Sequence, residues 1–250
     1  MIKGVLLDLS GVLYVGSQPL PGALDAVQHL VKSGLQVRYI TNTTRSPRSA
    51  ILKKLAAMDL AVARDEVFTA AIASRNYIKR KNLSPYLLVH TNLLPEFSEF
   101  DQKHFDSVLL GDAGTGFTYE KLNMAFRLLL DGAPLFAMGN NRYFKEEDGF
   151  SLDAGPFVHA LESASGVRAT VLGKPAKEFF LEAIQEFCCS PGEVVMVGDD
   201  VEADINGAST AGLQAILVKT GKYRSSDDQC IFDPSVRIAD DISQAVGWIA

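Results

Sequence analysis

Short apolar runs alternate along this chain with segments of helical periodicity, and several of the runs stop at a polar cluster. A strand pattern over residues 4–9 is followed by a helical one over 23–32, a strand over 37–41 and a helix over 49–58. This β-α-β-α order builds a parallel sheet, because each crossover helix carries the chain back to the same end of the sheet. The C-terminal third resumes the order with a helix over 178–187, a strand over 194–197, a helix over 205–211 and a strand over 215–218. Ser190-Pro191-Gly192 and Ala211-Gly212 mark turns between them. The middle predicts a helix over 70–79, strands over 86–90, 107–110 and 135–138, and helices over 119–130 and 156–163. The expected fold is therefore α/β: a doubly wound, Rossmann-like parallel-sheet core formed by 1–74 and 171–250, with a second α/β domain inserted over 75–170.

Composition narrows the partners. A chain of 250 residues that is 47% hydrophobic can bury one large core or two modest ones. A net charge of -6 disfavours nucleic acid, whose phosphates are held by clustered Lys and Arg. No apolar segment reaches the roughly 18 residues that span a bilayer, so the expectation is a cytoplasmic protein with a small-molecule partner and no membrane. Three cysteines, two of them adjacent at Cys188 and Cys189, form neither a disulfide framework nor a metal-ligand spacing. The four histidines, His29, His90, His104 and His159, are scattered and enter no site.

Four clusters carry candidate chemistry. Val5-Leu6-Leu7 ends at Asp8 before Leu9-Ser10-Gly11, which puts a carboxylate at the carboxyl end of a strand, where open α/β sheets bind ligands. Thr41-Asn42-Thr43-Thr44-Arg45 follows the second strand and offers hydroxyl, amide and guanidinium donors suited to phosphate oxygens, although Thr and Asn there also serve as helix caps. Gly173-Lys174-Pro175 follows a short strand over 170–172 and brings one compact positive charge. Val194-Val195-Met196-Val197 runs into Gly198-Asp199-Asp200, with Asp204 further on; one of the two adjacent carboxylates suffices for a helix cap. If Asp8, Asp199 and Asp204 share a crevice, their repulsion calls for a cation. Oxygen ligands without His or Cys select a hard ion, and open positions for water and phosphate suit Mg²⁺ better than Ca²⁺.

The order Asp8-Leu9-Ser10-Gly11, Thr41-Asn42, Gly173-Lys174-Pro175 and Gly198-Asp199-Asp200 with Asp204 resembles the four motifs of the haloacid dehalogenase superfamily of phosphohydrolases. The insert resembles the cap domain of its sugar-phosphate and nucleotidase-like branch. Within that branch the DLSGVLY opening, Arg142-Tyr143-Phe144-Lys145, Ala154-Gly155-Pro156-Phe157 and Lys219-Thr220-Gly221-Lys222-Tyr223-Arg224 resemble the phospholysine phosphohistidine inorganic pyrophosphate phosphatases and their close relatives. The resemblance implies that Asp8 attacks phosphorus and becomes an aspartyl phosphate, which water hydrolyses. Thr41, Asn42 and Thr43 would bind phosphoryl oxygens, and Lys174 would neutralise them. Asp8, Asp199 and the Ser10 backbone carbonyl would ligate Mg²⁺, with Asp200 and Asp204 shaping the surroundings that orient it.

One position departs from most phosphatases of the superfamily, which carry a second Asp two residues after the nucleophile as general acid and base. Here that position is Ser10, whose hydroxyl is a poor proton donor near neutral pH, a loss worth roughly 10²- to 10⁴-fold on leaving groups that need protonation. The expected substrates are therefore phosphoramidates, such as phosphoamino acids, or pyrophosphate. The alternatives are a sugar-phosphate or nucleotide phosphatase and a catalytically slow phosphate-binding module. Arg45, Arg142, Lys145 and the segment 115–118 are candidate substrate contacts. The cap is expected to close over the crevice and set specificity, and the resemblance adds a homodimer through the middle segment.

Overall fold

The computed structural model describes residues 1–101, 103–146 and 149–250, leaving aside the side chains of 145 and 146. A six-stranded sheet is ordered Arg237–Ala239, Gln214–Val218, Val194–Gly198, Gly4–Asp8, Gln36–Thr41, Val67–Thr69. Gly4–Asp8 and Val194–Gly198 are buried at every residue, as central strands covered on both faces require, which explains their unbroken apolar runs. They pair in parallel from Gly4 opposite Val194 to Leu7 opposite Val197, and on the other side Gly4–Asp8 pairs in parallel with Gln36–Thr41. From the first strand the chain winds one way to Gln36–Thr41 and Val67–Thr69, and later the other way to Val194–Gly198 and beyond. The strand order thus reverses beside Gly4–Asp8, and carboxyl strand ends at such a reversal form a ligand crevice.

The chain divides into two compact units, 1–41 with 48–68 and 174–250, and 42–47 with 69–173. The insert expected to begin at 75 would cut the helix Ala70–Arg80, which lies whole in the second unit. In the first unit the helix Ala23–Lys32 buries Ala23, Ala26, Val27 and Leu30, the three-and-four spacing that aims one face inward. The helix Lys177–Ala183 buries Phe179 and Phe180, whose rings meet edge to face at 5.7 Å. It ends four residues earlier than its periodicity predicts. The helix expected over 205–211 is instead a π-helical segment, Val201–Asn206, followed by a short α-helix, Gly207–Thr210.

The second unit has its own sheet, ordered Thr170–Val171, Leu135–Ala137, Ser107–Leu110, Pro85–Leu88, with parallel neighbours throughout. Strand alternation sorts its side chains: Leu109 and Phe136 pack with Ile78 and Phe97, while Val108, Leu110 and Leu135 pack with Ala125, Leu129 and Val158. The helices Ala70–Arg80, Tyr119–Leu130 and Ala154–Ser165 that supply these partners begin at the capping side chains of Thr69, Thr118 and Asp153. A hairpin of Tyr143–Glu146 and Gly149–Leu152 was not legible in the sequence, nor were the edge strands Val67–Thr69 and Arg237–Ala239. Among the described residues no helix is long and apolar enough to cross a membrane.

Phe180 is fully buried, and a Cβ added at Gly207 would lie 2.8 Å from its ring, so the contact has no slack. Phe180→Ala is expected to cost about 3–5 kcal/mol, read as a lowered urea midpoint; a shift under about 1 kcal/mol would show that the site collapses to fill the gap.

Candidate functional site

Asp8 closes the strand Gly4–Asp8 and is buried. The chain turns at once: the Leu13 N–H donates to the Leu9 carbonyl at 2.9 Å and the Gly11 N–H to the Tyr14 carbonyl at 2.8 Å. Ser10, at the tip of this turn, is exposed. Asp199 follows the neighbouring strand Val194–Gly198, and the π-helical segment after it carries Asp204; both carboxylates are almost wholly buried. Single π-helical turns widen a helix locally and recur at functional sites. Here the segment brings Asp204 against the strand end so closely that a Cβ at Gly198 would lie 2.3 Å from the Asp204 Cβ. Lys174 enters directly after Gly173, across a cis Lys174-Pro175 peptide, and is 5% exposed.

Its ammonium ties the cluster together. Lys174 Nζ donates to Asp8 Oδ1 at 2.5 Å and to Asp204 Oδ1 at 2.6 Å, and Asp204 Oδ2 accepts from the Asp200 N–H at 3.3 Å. Asp8, Asp199 and Asp204 each present an oxygen within 4.8 Å of the others. Three buried carboxylates face one buried ammonium, which leaves negative charge in excess. Burial opposes the charge on Lys174, yet Asp204 and Asp8 outweigh it and hold its pKa above the ordinary lysine value. Burial, and then the Asp8 charge, push Asp199 up to about 6 despite the Lys222 N–H it accepts. Burial likewise raises Asp204, against the pull of Lys174. The donor set is all oxygen, compact and over-charged, and so fits a hard divalent cation.

The other sequence candidates divide. Asp200 is the cap: its Oδ1 accepts from the Ala203 N–H at 2.9 Å, and its Oδ2 takes the Lys222 ammonium at 3.0 Å. Burial works against its charge, but Lys222 and the Ala203 N–H prevail and keep its pKa below the usual carboxylate value. Thr41 is buried at the end of Gln36–Thr41, one residue past the Ile40 that faces Asp8. Asn42 and Thr43 continue the chain into the second unit, half-buried. In that unit Thr44 Oγ1 accepts from the Asp112 N–H at 3.2 Å, and Arg45 pairs with the buried Asp112 carboxylate and lies 4.4 Å over the Phe144 ring. Arg142 is exposed, and the Lys145 side chain lies outside the described residues. The segment 115–118 is local structure, a 3₁₀ turn over Gly114–Gly116 leading to Thr118, whose hydroxyl accepts from the Lys121 N–H at 3.4 Å.

Residues 220–222 were not singled out for chemistry by the sequence. Thr220 donates through Oγ1 to the Gly11 carbonyl, and the Lys222 N–H donates to Asp199 Oδ2 at 2.7 Å. The available signal was that this polar segment, like the other clusters, follows an apolar run, Ala215-Ile216-Leu217-Val218.

Comparison with known proteins gives the family of the chain. The family described as haloacid dehalogenase-like hydrolase matches residues 5–103, and a second family of HAD-hydrolase-like domains matches 171–245. The haloacid dehalogenase-like hydrolase domain-containing protein 2 of Homo sapiens is 44% identical over 248 residues, covering 99% of this chain and 96% of its own. The phospholysine phosphohistidine inorganic pyrophosphate phosphatase of Danio rerio is 43% identical over 257 residues, covering 99% and 94%. Among solved structures, the 4-nitrophenylphosphatase of Thermotoga maritima superposes with a TM-score of 0.91 at 24% identity over 100% of this chain and 98% of its own, a likeness of fold.

The raised pKa of Asp199 makes stability depend on pH. Its folded value of about 6 exceeds the ordinary 3.8, so between these values the folded protein holds more protons than the unfolded one. Stability contributed by this group is fully present below pH 3.8 and is lost as pH rises through about 6. With divalent cations chelated, the change is on the order of 3 kcal/mol, read from urea midpoints across this window. Asp199→Asn should flatten the profile; an unchanged slope in that variant would assign the effect to other groups.

Proposed function

We infer that this chain, which belongs to the haloacid dehalogenase-like hydrolases, is a Mg²⁺-dependent phosphohydrolase that works through a phosphorylated Asp8 and acts on phosphoramidates or pyrophosphate. The observation that carries this reading is the buried Lys174 ammonium between Asp8 and Asp204, with the Asp199 carboxylate beside them. Such a grouping holds a carboxylate ready while it gathers positive charge for an incoming phosphoryl group.

Asp8 would attack phosphorus in line with the leaving group. As its O–P bond forms, the P–N or P–O bond breaks, and the leaving group departs as an amine or as phosphate. Water then attacks phosphorus, the acyl phosphate bond breaks, and inorganic phosphate and the Asp8 carboxylate are released, with the proton of water passing to solvent. Lys174 stays charged throughout, because its two carboxylate partners outweigh its burial, and offers that charge to the phosphoryl oxygens. Thr41 would bind those oxygens from the adjacent strand end, and Asn42 and Thr43 follow it in the chain. Mg²⁺, held by Asp8, Asp199 and the Ser10 carbonyl, would supply further positive charge to the same oxygens.

Substrate choice follows from Ser10. With a serine two residues after Asp8, that position supplies no strong proton donor for a leaving oxygen. A phosphoramidate nitrogen takes its proton from water before cleavage, and pyrophosphate releases a stable phosphate ion, so neither needs such a donor. The name of the Danio rerio relative, at 43% identity, supports these substrates.

The test is phosphate release from pyrophosphate, a phosphoramidate and an alkyl phosphate, with and without Mg²⁺. The first two should be cleaved only with Mg²⁺, and Asp8→Asn should reduce release to background; release mainly from the alkyl ester would overturn the reading of Ser10. Ser10→Asp is expected to raise kcat/KM for the alkyl phosphate about a hundredfold. No gain would show that something other than leaving-group protonation limits that reaction.

A further inference from the structure

The segment after the strand Gln214–Val218 touches two parts of the carboxylate cluster, and the chemistry above gives it no role. Thr220 Oγ1 donates to the Gly11 carbonyl, and the Lys222 N–H donates to Asp199 Oδ2 at 2.7 Å. Gly221 lies between them with φ +61°. A Cβ there would sit 2.1 Å from Asp199 Oδ2 and 2.4 Å from Gly11 Cα. Gly11, with φ +95°, approaches the same oxygen as closely: its own Cβ would lie 2.0 Å from Asp199 Oδ2. One carboxylate oxygen is therefore approached closely by two glycine backbones, one from the turn that carries Ser10 and one from the 220–222 segment. The hydroxyl of Thr220 fastens these two pieces of backbone together.

We propose that Thr220 and Gly221 are positioning residues for the cation site, setting the place of Asp199 relative to the Ser10–Gly11 turn. The inference rests on the cation reading given above. Its physical basis is that Mg²⁺ demands near-octahedral oxygen ligands at roughly 2.0–2.1 Å, so a displacement of a few tenths of an ångström in one carboxylate or one turn is felt directly. The Lys222 side chain is not part of this device. It is exposed and pairs with Asp200, and although its charge is felt at Asp199, its hydrogen bond to Asp199 is made by the backbone N–H that any residue except proline supplies.

The test is calorimetric titration with Mg²⁺ alone, without substrate, accompanied by urea midpoints in EDTA. Thr220→Val, which keeps the volume and loses the hydroxyl, should weaken Mg²⁺ binding about tenfold. Thr220→Ser should bind like the parent, and Lys222→Ala, which keeps the N–H, no more weakly than the parent. Gly221→Ala should lose binding; should it fail to fold, the Thr220 pair decides. A parent that binds Mg²⁺ together with a Thr220→Val variant of equal affinity overturns the proposal. So do valine and serine variants that are weakened alike, because the hydroxyl would then be irrelevant. A parent that does not bind Mg²⁺ removes the cation reading itself, a distinguishable failure.

Discussion

The Lys174 ammonium, buried between the Asp8 and Asp204 carboxylates, is the interaction on which the rest of the site depends. It joins the end of the first strand, the π-helical segment after Val194–Gly198, and the residue at which the chain re-enters the first unit. A buried pair of this kind is weak evidence for stability, since desolvation offsets much of the Coulomb attraction. Its effect is geometric: one donor with two acceptors leaves little freedom in where the carboxylates stand. The charge it fails to neutralise, on Asp199 and its neighbours, leaves a compact set of oxygen donors of the kind a hard cation fits.

Around these charges the structure uses backbone in place of side chains. Gly11, Gly198 and Gly221 each approach a carboxylate to distances at which no Cβ fits. Backbone in place of bulky neighbours lets N–H donors reach the carboxylates, as the Asp200 and Lys222 N–H groups do at Asp204 and Asp199. Burial first, and then the nearby Asp8 charge, is what raises the pKa of Asp199.

In the proposed function the exposed Ser10 is what narrows the set of bonds. Asp8 and Lys174 are close packed and shielded, whereas Ser10, two residues after Asp8, carries its hydroxyl at the surface. On the proposed reading the site provides for attack and not for leaving-group protonation, which is why bonds whose leaving group departs unaided are the ones proposed for it.

The fold class and the strand ends bearing Asp8, Thr41 and Asp199 were legible in the sequence, because a strand buried on both faces must be apolar throughout and any charge closing it stands out. Helices such as Ala23–Lys32 were legible for the same reason, since burial of one face imposes its own spacing. Tertiary structure alone decided that Asp200 caps the π-helical segment while Asp199 and Asp204 turn inward, since adjacent carboxylates carry the same local signal until a lysine distant in sequence chooses between them. It alone made a π-helical segment of a stretch with ordinary helical periodicity. It also brought Thr220, Gly221 and the Lys222 N–H to the carboxylates through backbone contacts. Contacts of that kind depend on where the chain passes, and residue type records them only faintly.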